Sequence, residues 1–152
     1  MADSSQTILY GSTPAREQLL VRRLKGDIQE HLDPITSEVS KVIIPAGVIY
    51  DLNGKKFSDA TLWLKNHKLH RPSELGSAVI TKDHIEYWVD GERHRQDGPA
   101  IITADSSEYW YQSDKLHRLD GAAVTRADGS EEYWLRGQRY RSLKALKAGE
   151  CP

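Results

Sequence analysis

Hydrophobic and polar positions follow a short repeating order along most of the chain. β-branched runs such as AVIT (78–81) and AIIT (100–103) are each followed by a segment in which Glu precedes an aromatic pair, EYWV (86–89) and EYWY (108–111). β-branched and aromatic residues favour strands. Asp-Gly pairs separate the runs, and glycine accepts the positive φ of tight turns. The pattern predicts β-hairpins whose structural turns are Asp90-Gly91, Asp97-Gly98, Asp120-Gly121 and Asp128-Gly129.

Aligning the chain with itself reveals about four copies of one unit, spaced 22 to 25 residues apart. Tryptophan recurs in every copy, at Trp63, Trp88, Trp110 and Trp134. His-Arg steps recur at 70–71, 94–95 and 117–118, and Tyr140-Arg141 closes the series. A hairpin of this size cannot bury its apolar face alone, so neighbouring copies must stack. The sequence therefore predicts a mainly β fold, an elongated antiparallel sheet of about four hairpin repeats, with the tryptophans in one column.

The N-terminal segment has a different periodicity. Thr13 and Pro14 are suited to the N-cap and first position of a helix. Apolar residues then recur every four positions, at Leu20, Leu24 and Ile28. This spacing predicts an amphipathic α-helix that ends before Asp33-Pro34.

The C-terminal segment SLKALKAG predicts a short helix that ends at Gly149. Exposed sheet ends need covering, so both helices are candidate caps. The chain is accordingly divided into an N-terminal helical capping segment (1–44), a hairpin repeat array (45–141) and a C-terminal cap or tail (142–152).

Composition narrows the classes of function. The chain has 152 residues and a net charge of −1. That balance argues against nucleic acid as a partner. Cys151 is the single cysteine, which gives neither an intrachain disulfide nor metal-ligand spacing. A secretory signal and a membrane-length apolar run are both missing from the sequence, so we expect a soluble, cytoplasmic protein with no membrane partner.

The His-Arg-x-Asp triplets are the first candidates for chemistry. A kinase catalytic loop of this form also needs a downstream Asn, a glycine-rich loop and a metal-binding Asp. The chain lacks this set, and its triplet recurs, whereas a catalytic centre is normally singular. We interpret the triplet as structural, with Asp pairing with Arg and His donating to a carbonyl of the adjacent copy. We predict no enzyme activity and no cofactor. We also predict no metal site, because His70, His94 and His117 belong to separate hairpins.

The aromatic residues have two possible roles. They can fill a core, or they can form a partner surface, since Trp, Tyr and Arg dominate binding hot spots. The sequence leaves both roles open. The candidate partner-binding residues are Trp88, Trp110, Tyr109, Tyr111, Arg95 and Arg118.

The repeat resembles a known family. The pattern W-x-x-G-x-x-H-R-x-D-G-P-A at 88–100 is similar to the MORN repeat, and Tyr87, Trp88, Asp90, Gly91, His94 and Gly98 match it in order. Where the usual repeat has Gly after His, this chain has Arg71, Arg95 and Arg118. The resemblance covers about residues 45–141. It implies a non-enzymatic protein-interaction module, and the variant spelling is similar to repeats of bacterial and bacteriophage proteins.

Several hypotheses follow from this resemblance and from the residues themselves. The first is a phage-encoded accessory or inhibitory factor that binds another protein, of the host or its defences, and occludes it. The alternative is a small-ligand protein that binds a nucleotide or phosphate through Arg71, Arg95 and Arg118. An enzyme with a repeat histidine as general base is a third. Exposed sheet edges also suggest a homodimer formed by strand addition.

Overall fold

The chain is mainly β. The computed structural model describes residues 6–9, 20–33, 35–36 and 38–150. These residues contain nineteen strands and one α-helix. No helix in them is long and apolar enough to cross a membrane. The strands are β1 (Gln6–Leu9), β2 (Leu20–Arg23), β3 (Gln29–Leu32), β4 (Val39–Ile44), β5 (Tyr50–Leu52), β6 (Lys55–Phe57), β7 (Ala60–Lys65), β8 (Lys68–Leu69), β9 (Val79–Thr81), β10 (His84–Glu86), β11 (Trp88–Val89), β12 (Glu92–Arg93), β13 (Ile101–Thr103), β14 (Glu108–Tyr109), β15 (Tyr111–Gln112), β16 (Lys115–Leu116), β17 (Val124–Thr125), β18 (Glu131–Leu135) and β19 (Gln138–Tyr140), and the helix is α1 (Leu143–Ala148).

One antiparallel sheet joins thirteen of the described strands. Its order is β1-β2-β3-β4-β7-β9-β10-β13-β14-β17-β18-β19, and β8 pairs with β7. The order follows the chain except where the hairpins β5–β6, β11–β12 and β15–β16 leave the sheet as separate pairs. The prediction of a large antiparallel sheet built from hairpin strands is confirmed, and the sheet continues across residue 44 through the pairing of β4 with β7.

The small hairpins form a second series of hydrogen bonds beside the sheet. From β7–β8 through β11–β12 and β15–β16 to β18–β19, each hairpin bonds to the hairpin of the next repeat. Gly91 N–H donates to the Leu69 carbonyl at 2.9 Å, and Asp114 N–H donates to the Arg93 carbonyl at 3.0 Å. Gly137 N–H donates to the Leu116 carbonyl at 2.9 Å in the same way. Successive repeats are therefore joined twice, once in the sheet and once through their small hairpins.

The two faces of the sheet differ in burial. Residues directly opposite each other in antiparallel strands share a face. One face carries the row Val42, Leu62, Val79, in which every side chain has no exposed surface. These residues belong to a core cluster that includes Phe57 of β6 and Trp88 of β11. The core thus lies on the face where the small hairpins pack.

The N-terminal helix is a wrong prediction for the residues that the structure describes. β2 and β3 pair there as antiparallel strands, Leu20 opposite Leu32. Gly26 (φ 78°) and Asp27 (φ 61°) lie between the two strands in the left-handed region, which a continuous α-helix does not allow. Residues 10–19, which include the proposed Thr13-Pro14 start, lie outside the described residues. The sheet gains these strands because β4 is a long β-branched strand whose outer edge needs hydrogen-bond partners.

A buried polar cluster holds this N-terminal part together. Glu30 of β3 is only 4% exposed. It accepts hydrogen bonds from the Arg22 guanidinium and from the Tyr50 hydroxyl, the latter at 3.1 Å. Burial, and then the negative charge of Glu30, raise the pKa of Tyr50 to about 12. The hydroxyl therefore stays protonated and ties β5 to β3.

The C-terminal helix is confirmed. Ser142 is its N-cap, and its hydroxyl accepts from the Ala145 N–H at 3.1 Å. Gly149 ends it in the left-handed conformation. Ala145 and Leu146 are buried where α1 packs on β18 and β19. The helix thus covers the last hairpin of the sheet.

This packing yields a stability prediction. We expect Leu146→Ala to lower the free energy of unfolding by about 2 kcal/mol, because a buried leucine would leave a cavity at the end of the sheet. Lys144→Ala, an exposed change on the same helix, is the control and should have little effect. Urea denaturation followed by tryptophan fluorescence measures both. Equal stability of the two variants would mean that α1 contributes no core packing.

Candidate functional site

Hydrogen bonds define which residues are equivalent between repeats. The N–H of His70, His94 and His117 donates to the carbonyl of Trp63, Tyr87 and Trp110, respectively, at 3.0 to 3.1 Å. In the last repeat Tyr140 pairs with Tyr133. Each aromatic residue thus precedes its partner by seven residues.

The proposed tryptophan column is therefore wrong. Tyr87, not Trp88, is the equivalent of Trp63 and Trp110, because Trp88 precedes its His-Arg step by six residues, whereas Trp63 and Trp110 precede theirs by seven. Trp88 takes the next position instead, with Leu64, Tyr111 and Trp134. The constant spacing to His-Arg was the signal that identifies the correct register.

An arginine covers the aromatic residue in each of the first three repeats. The guanidinium carbons of Arg71, Arg95 and Arg118 lie 4.0, 4.0 and 3.9 Å from the ring centroids of Trp63, Tyr87 and Trp110. Each arginine also donates through Nη1 to a carbonyl at the start of the following strand, of Ser77, Pro99 and Ala122, at 3.1 to 3.2 Å. The planar guanidinium suits both contacts at once. We call this set of three contacts the arginine–aromatic stacks.

A glycine makes room for each stack. A Cβ atom built on Gly98 would lie 2.7 Å from the Cζ of Arg95, and one on Gly121 would lie 3.0 Å from the Cζ of Arg118. Asp97 and Asp120 pair with the Nε atoms of these arginines at 3.4 and 2.9 Å. The hydrogen bond and charge of Arg118 lower the pKa of Asp120. The Arg-x-Asp-Gly segment is thus a structural unit in the second and third repeats, where Asp pairs with Arg as the sequence interpretation expected.

The histidines join one repeat to the next. The Nδ1 atoms of His70, His94 and His117 accept from the backbone N–H of Asp90, Ser113 and Arg136 at 3.0, 3.2 and 3.2 Å. Each of these three N–H groups belongs to the turn of the following small hairpin. The sequence interpretation anticipated a bond to the adjacent copy, but with histidine as the donor; in the structure it is the acceptor.

These contacts engage the charged groups of the triplets. The side chains of Arg95 and Arg118 are 21% and 26% exposed, and their guanidinium groups are already stacked and hydrogen-bonded. A phosphate would compete with the carboxylates of Asp97 and Asp120 for these groups. Within the described ranges, no group of three or more His, Cys, Asp or Glu side chains is placed to hold a metal ion.

The aromatic partner-binding candidates are distributed over different environments. Trp88 is 6% exposed and donates its Nε1–H to Glu86 at 2.5 Å, while the Lys55 ammonium lies 4.1 Å from its ring centroid. Trp88 therefore belongs to the core. Trp110 is half-buried under Arg118, and its buried Nε1 has no hydrogen-bond partner among the described residues.

Tyr109 and Tyr111 are half-buried. Tyr109 lies in the sheet between Ile101 and Val124. The Arg93 guanidinium lies 4.4 Å from the ring centroid of Tyr111 and is itself bound to Asp114 at 2.7 Å. Of the six candidates, only Trp88 is buried, and the other five are half-buried.

The predicted turn residues are used in two ways. Asp90-Gly91 forms the turn between β11 and β12, with positive φ at both residues. Asp128-Gly129 lies in the turn between β17 and β18. The pairs Asp97-Gly98 and Asp120-Gly121 belong to the arginine–aromatic stacks described above.

The sheet face opposite the core carries an apolar surface that the sequence interpretation missed. Strand pairing places Ile43, Thr61, Ile80, Ile85 and Ile102 in one line across five adjacent strands. We call this line the isoleucine strip. Ile80 is 39% exposed, and Ile43, Thr61 and Ile80 line a shallow depression of about 380 Å³. Comparison of the repeats position by position was the available signal, since Glu108 replaces isoleucine in the third repeat and Thr125 replaces it in the fourth.

No family model matches the chain, and comparison with curated proteins and with solved structures gives no match either.

The glycine–arginine contact yields the second prediction. We expect Gly98→Ala to destabilise the protein by about 1–3 kcal/mol, because the new methyl group overlaps the Arg95 guanidinium. In an Arg95→Ala background the same change should cost much less, since the overlapping group has been removed. Chemical denaturation of the two single variants and the double variant forms a double-mutant cycle. Additive effects would show that Gly98 is required for another reason.

The histidine contact yields a pH prediction. Burial, and then the positive charge of Arg136, lower the pKa of His117 below its ordinary value of 6.5. The unfolded chain therefore binds a proton more readily than the native state, so the free energy of unfolding should fall as the pH drops through 6.5 and below. His117→Gln keeps a hydrogen-bond acceptor but removes the titratable group, so the free energy of unfolding of this variant should depend less on pH across that window. Parallel slopes for the two proteins in urea titrations between pH 7 and 5 would contradict this.

Proposed function

We propose that the protein is a non-enzymatic interaction module that binds another protein across the exposed face of its sheet. The observation that carries this proposal is the isoleucine strip. Isoleucines aligned on one sheet face, with Ile80 39% exposed, form the kind of contiguous apolar surface that marks protein partners.

The contacts that the polar residues already form within the protein support the same proposal. The His-Arg-x-Asp triplets recur with equivalent contacts and hold the repeats together, which is a sufficient physical reason for their presence. The nucleotide or phosphate alternative depends on Arg71, Arg95 and Arg118, and all three guanidinium groups are engaged in the arginine–aromatic stacks. A protein partner requires no rearrangement of these contacts.

The mechanism would be occlusion. The sheet strands and small hairpins are cross-linked by two series of backbone hydrogen bonds, so the exposed face is preformed. A preformed surface loses little conformational entropy when it binds. Binding would cover the site on the partner with which other molecules interact, and no chemical step is needed. An accessory or inhibitory role follows from this mechanism.

The test is quantitative affinity capture from a lysate of the cells in which the chain is made, followed by purification of the captured protein. We expect a partner at near-stoichiometric yield that forms a complex again from purified components. Hydrogen exchange on that complex should show protection of β4, β7, β9, β10 and β13. The separate hairpins β11–β12 and β15–β16 should change little on binding and serve as the internal control.

Two results would contradict the proposal. One is the failure of any protein to bind reproducibly at near-stoichiometric yield. The other is a turnover of small molecules that His94→Gln abolishes in a folded variant, which would make the protein an enzyme.

A further inference from the structure

The isoleucine strip is not required by the repeat architecture. Equivalent positions in successive repeats are occupied by Ile80, Ile102 and Thr125 in one series and by Ile85, Glu108 and Glu131 in another. The third repeat forms the same strands and pairings with Ile102 and Glu108, and the fourth forms them with Thr125 and Glu131. Isoleucine at these positions therefore serves something other than hairpin formation.

The line of paired residues continues beyond the strip, where it changes from apolar to acidic. After Ile102 it runs through Glu108, Thr125 and Glu131. Glu131 is exposed and accepts a hydrogen bond from the Tyr133 hydroxyl at 2.6 Å, and no basic side chain pairs with either glutamate in the part of the chain that the structure describes. The surface is thus apolar over five strands and acidic over the next three.

The arginine–aromatic stacks border the strip on one side. Trp63 lies two residues along β7 from Thr61, on the same face, and the stacked arginine adds to its height. The surface is therefore narrow, because each strand contributes one residue to it, and it runs across the strands. We call this surface, with the stacks along one side, the trough. An extended chain lying in this direction could not form sheet hydrogen bonds with the strands beneath it, whereas a helix satisfies its own backbone.

A second copy of the chain fits this trough poorly. If the two copies were related by an axis along the line of isoleucines, Glu108 and Glu131 would face the same carboxylates of the partner copy. If the axis ran along the strands, the arginine–aromatic stacks of the two copies would meet and hold the strips apart. Like charges in contact are unfavourable in both arrangements. The occupant is therefore a different molecule.

We propose that the isoleucine strip binds an amphipathic helix of a partner protein whose apolar stripe is followed by basic residues. Ile43 and Ile102 are four strand spacings apart, about 19 Å, which corresponds to about 13 helical residues. Glu108 and Glu131 lie about 24 and 34 Å along the same line, opposite helical positions about 16 and 22. Lysine or arginine there would pair with the two glutamates. This inference rests on the proposed function and specifies the chemistry of the partner.

The test uses a synthetic peptide with this layout: a helix-forming sequence of about 23 residues with a leucine stripe over the first 13 and lysines near positions 16 and 22. A scrambled peptide and a peptide with glutamate in place of the lysines are the comparisons. Binding to the full chain is followed by fluorescence anisotropy and by backbone amide shifts in NMR. We expect shifts at Ile80, Ile85 and Ile102, and weaker binding of both comparison peptides.

The repeats themselves supply conservative variants. The double change Ile80→Thr with Ile102→Thr introduces the residue that the fourth repeat already has at Thr125, so the fold should be kept. It should weaken peptide binding by at least about tenfold, through lost apolar contact. Glu108→Gln with Glu131→Gln should weaken it less and reduce its salt dependence. Leu119→Thr, at a residue that is 62% exposed outside the strip, is the matched control and should leave the affinity within about twofold.

The outcomes separate this inference from the proposed function. Equal binding of the scrambled or the glutamate peptide overturns the inference, as does a self-associated chain that the Ile80→Thr and Ile102→Thr changes convert to monomer. If a captured native partner binds the double-threonine variant as well as the wild type, the strip is not its site and only the inference fails. If the peptide binds as expected while the lysate yields no partner, the trough is confirmed and the proposed function fails.

Discussion

The structure depends on one recurring contact, in which an arginine stacks on an aromatic ring and a nearby glycine leaves room for the guanidinium group. Each contact involves three separate stretches of chain: the aromatic strand, the His-Arg step that follows it, and the strand that starts the next repeat. The aromatic residues donate their N–H groups to Ala78, Ala100 and Ala123, which have no exposed surface. A larger side chain at these alanines would displace the ring, and a side chain at Gly98 or Gly121 would displace the arginine. The recurring Arg, Gly and Ala are therefore consequences of one packing requirement.

Much of the fold was predictable, because strand and turn preferences are local. The hairpins around Asp90-Gly91 and Asp128-Gly129 and the helix between Ser142 and Gly149 depend on neighbours in sequence. The segment around β2 and β3 does not. Leu20, Leu24 and Ile28 fit a helical period, but two left-handed residues, Gly26 and Asp27, and an edge strand that needs partners favour strands instead. An apolar period of four residues that covers only three positions is weak evidence for a helix. A Gly-Asp step between those positions is stronger evidence against one.

The structural role of the triplets was predictable. The register between repeats was not recovered, because the tryptophans, the most conspicuous residues, are not equivalent positions. Aligning the repeats on tryptophan placed Trp88 beside Trp63 and Trp110, although Trp88 lies in the core on the opposite face. Strand neighbours alternate between faces, so an error of one residue exchanges a buried side chain for an exposed one. The hydrogen bonds from His70, His94 and His117 show that the distance to the His-Arg step is the constant feature. Packing, not residue type, defines equivalence between repeats.

A repeat protein supplies its own comparison between structural and functional residues. Positions that hold the same residue type in each repeat, such as Arg71, Arg95 and Arg118, have the same contacts each time and are explained by them. Positions that differ between repeats cannot be required for the unit to fold, since at least one copy folds without them. Ile80 and Ile102 against Thr125 is such a difference, and it coincides with the exposed face. The aromatic and arginine residues attract attention because they recur, but recurrence here indicates architecture. Under the proposed function, the residues that break the repeat are the ones that would contact a partner.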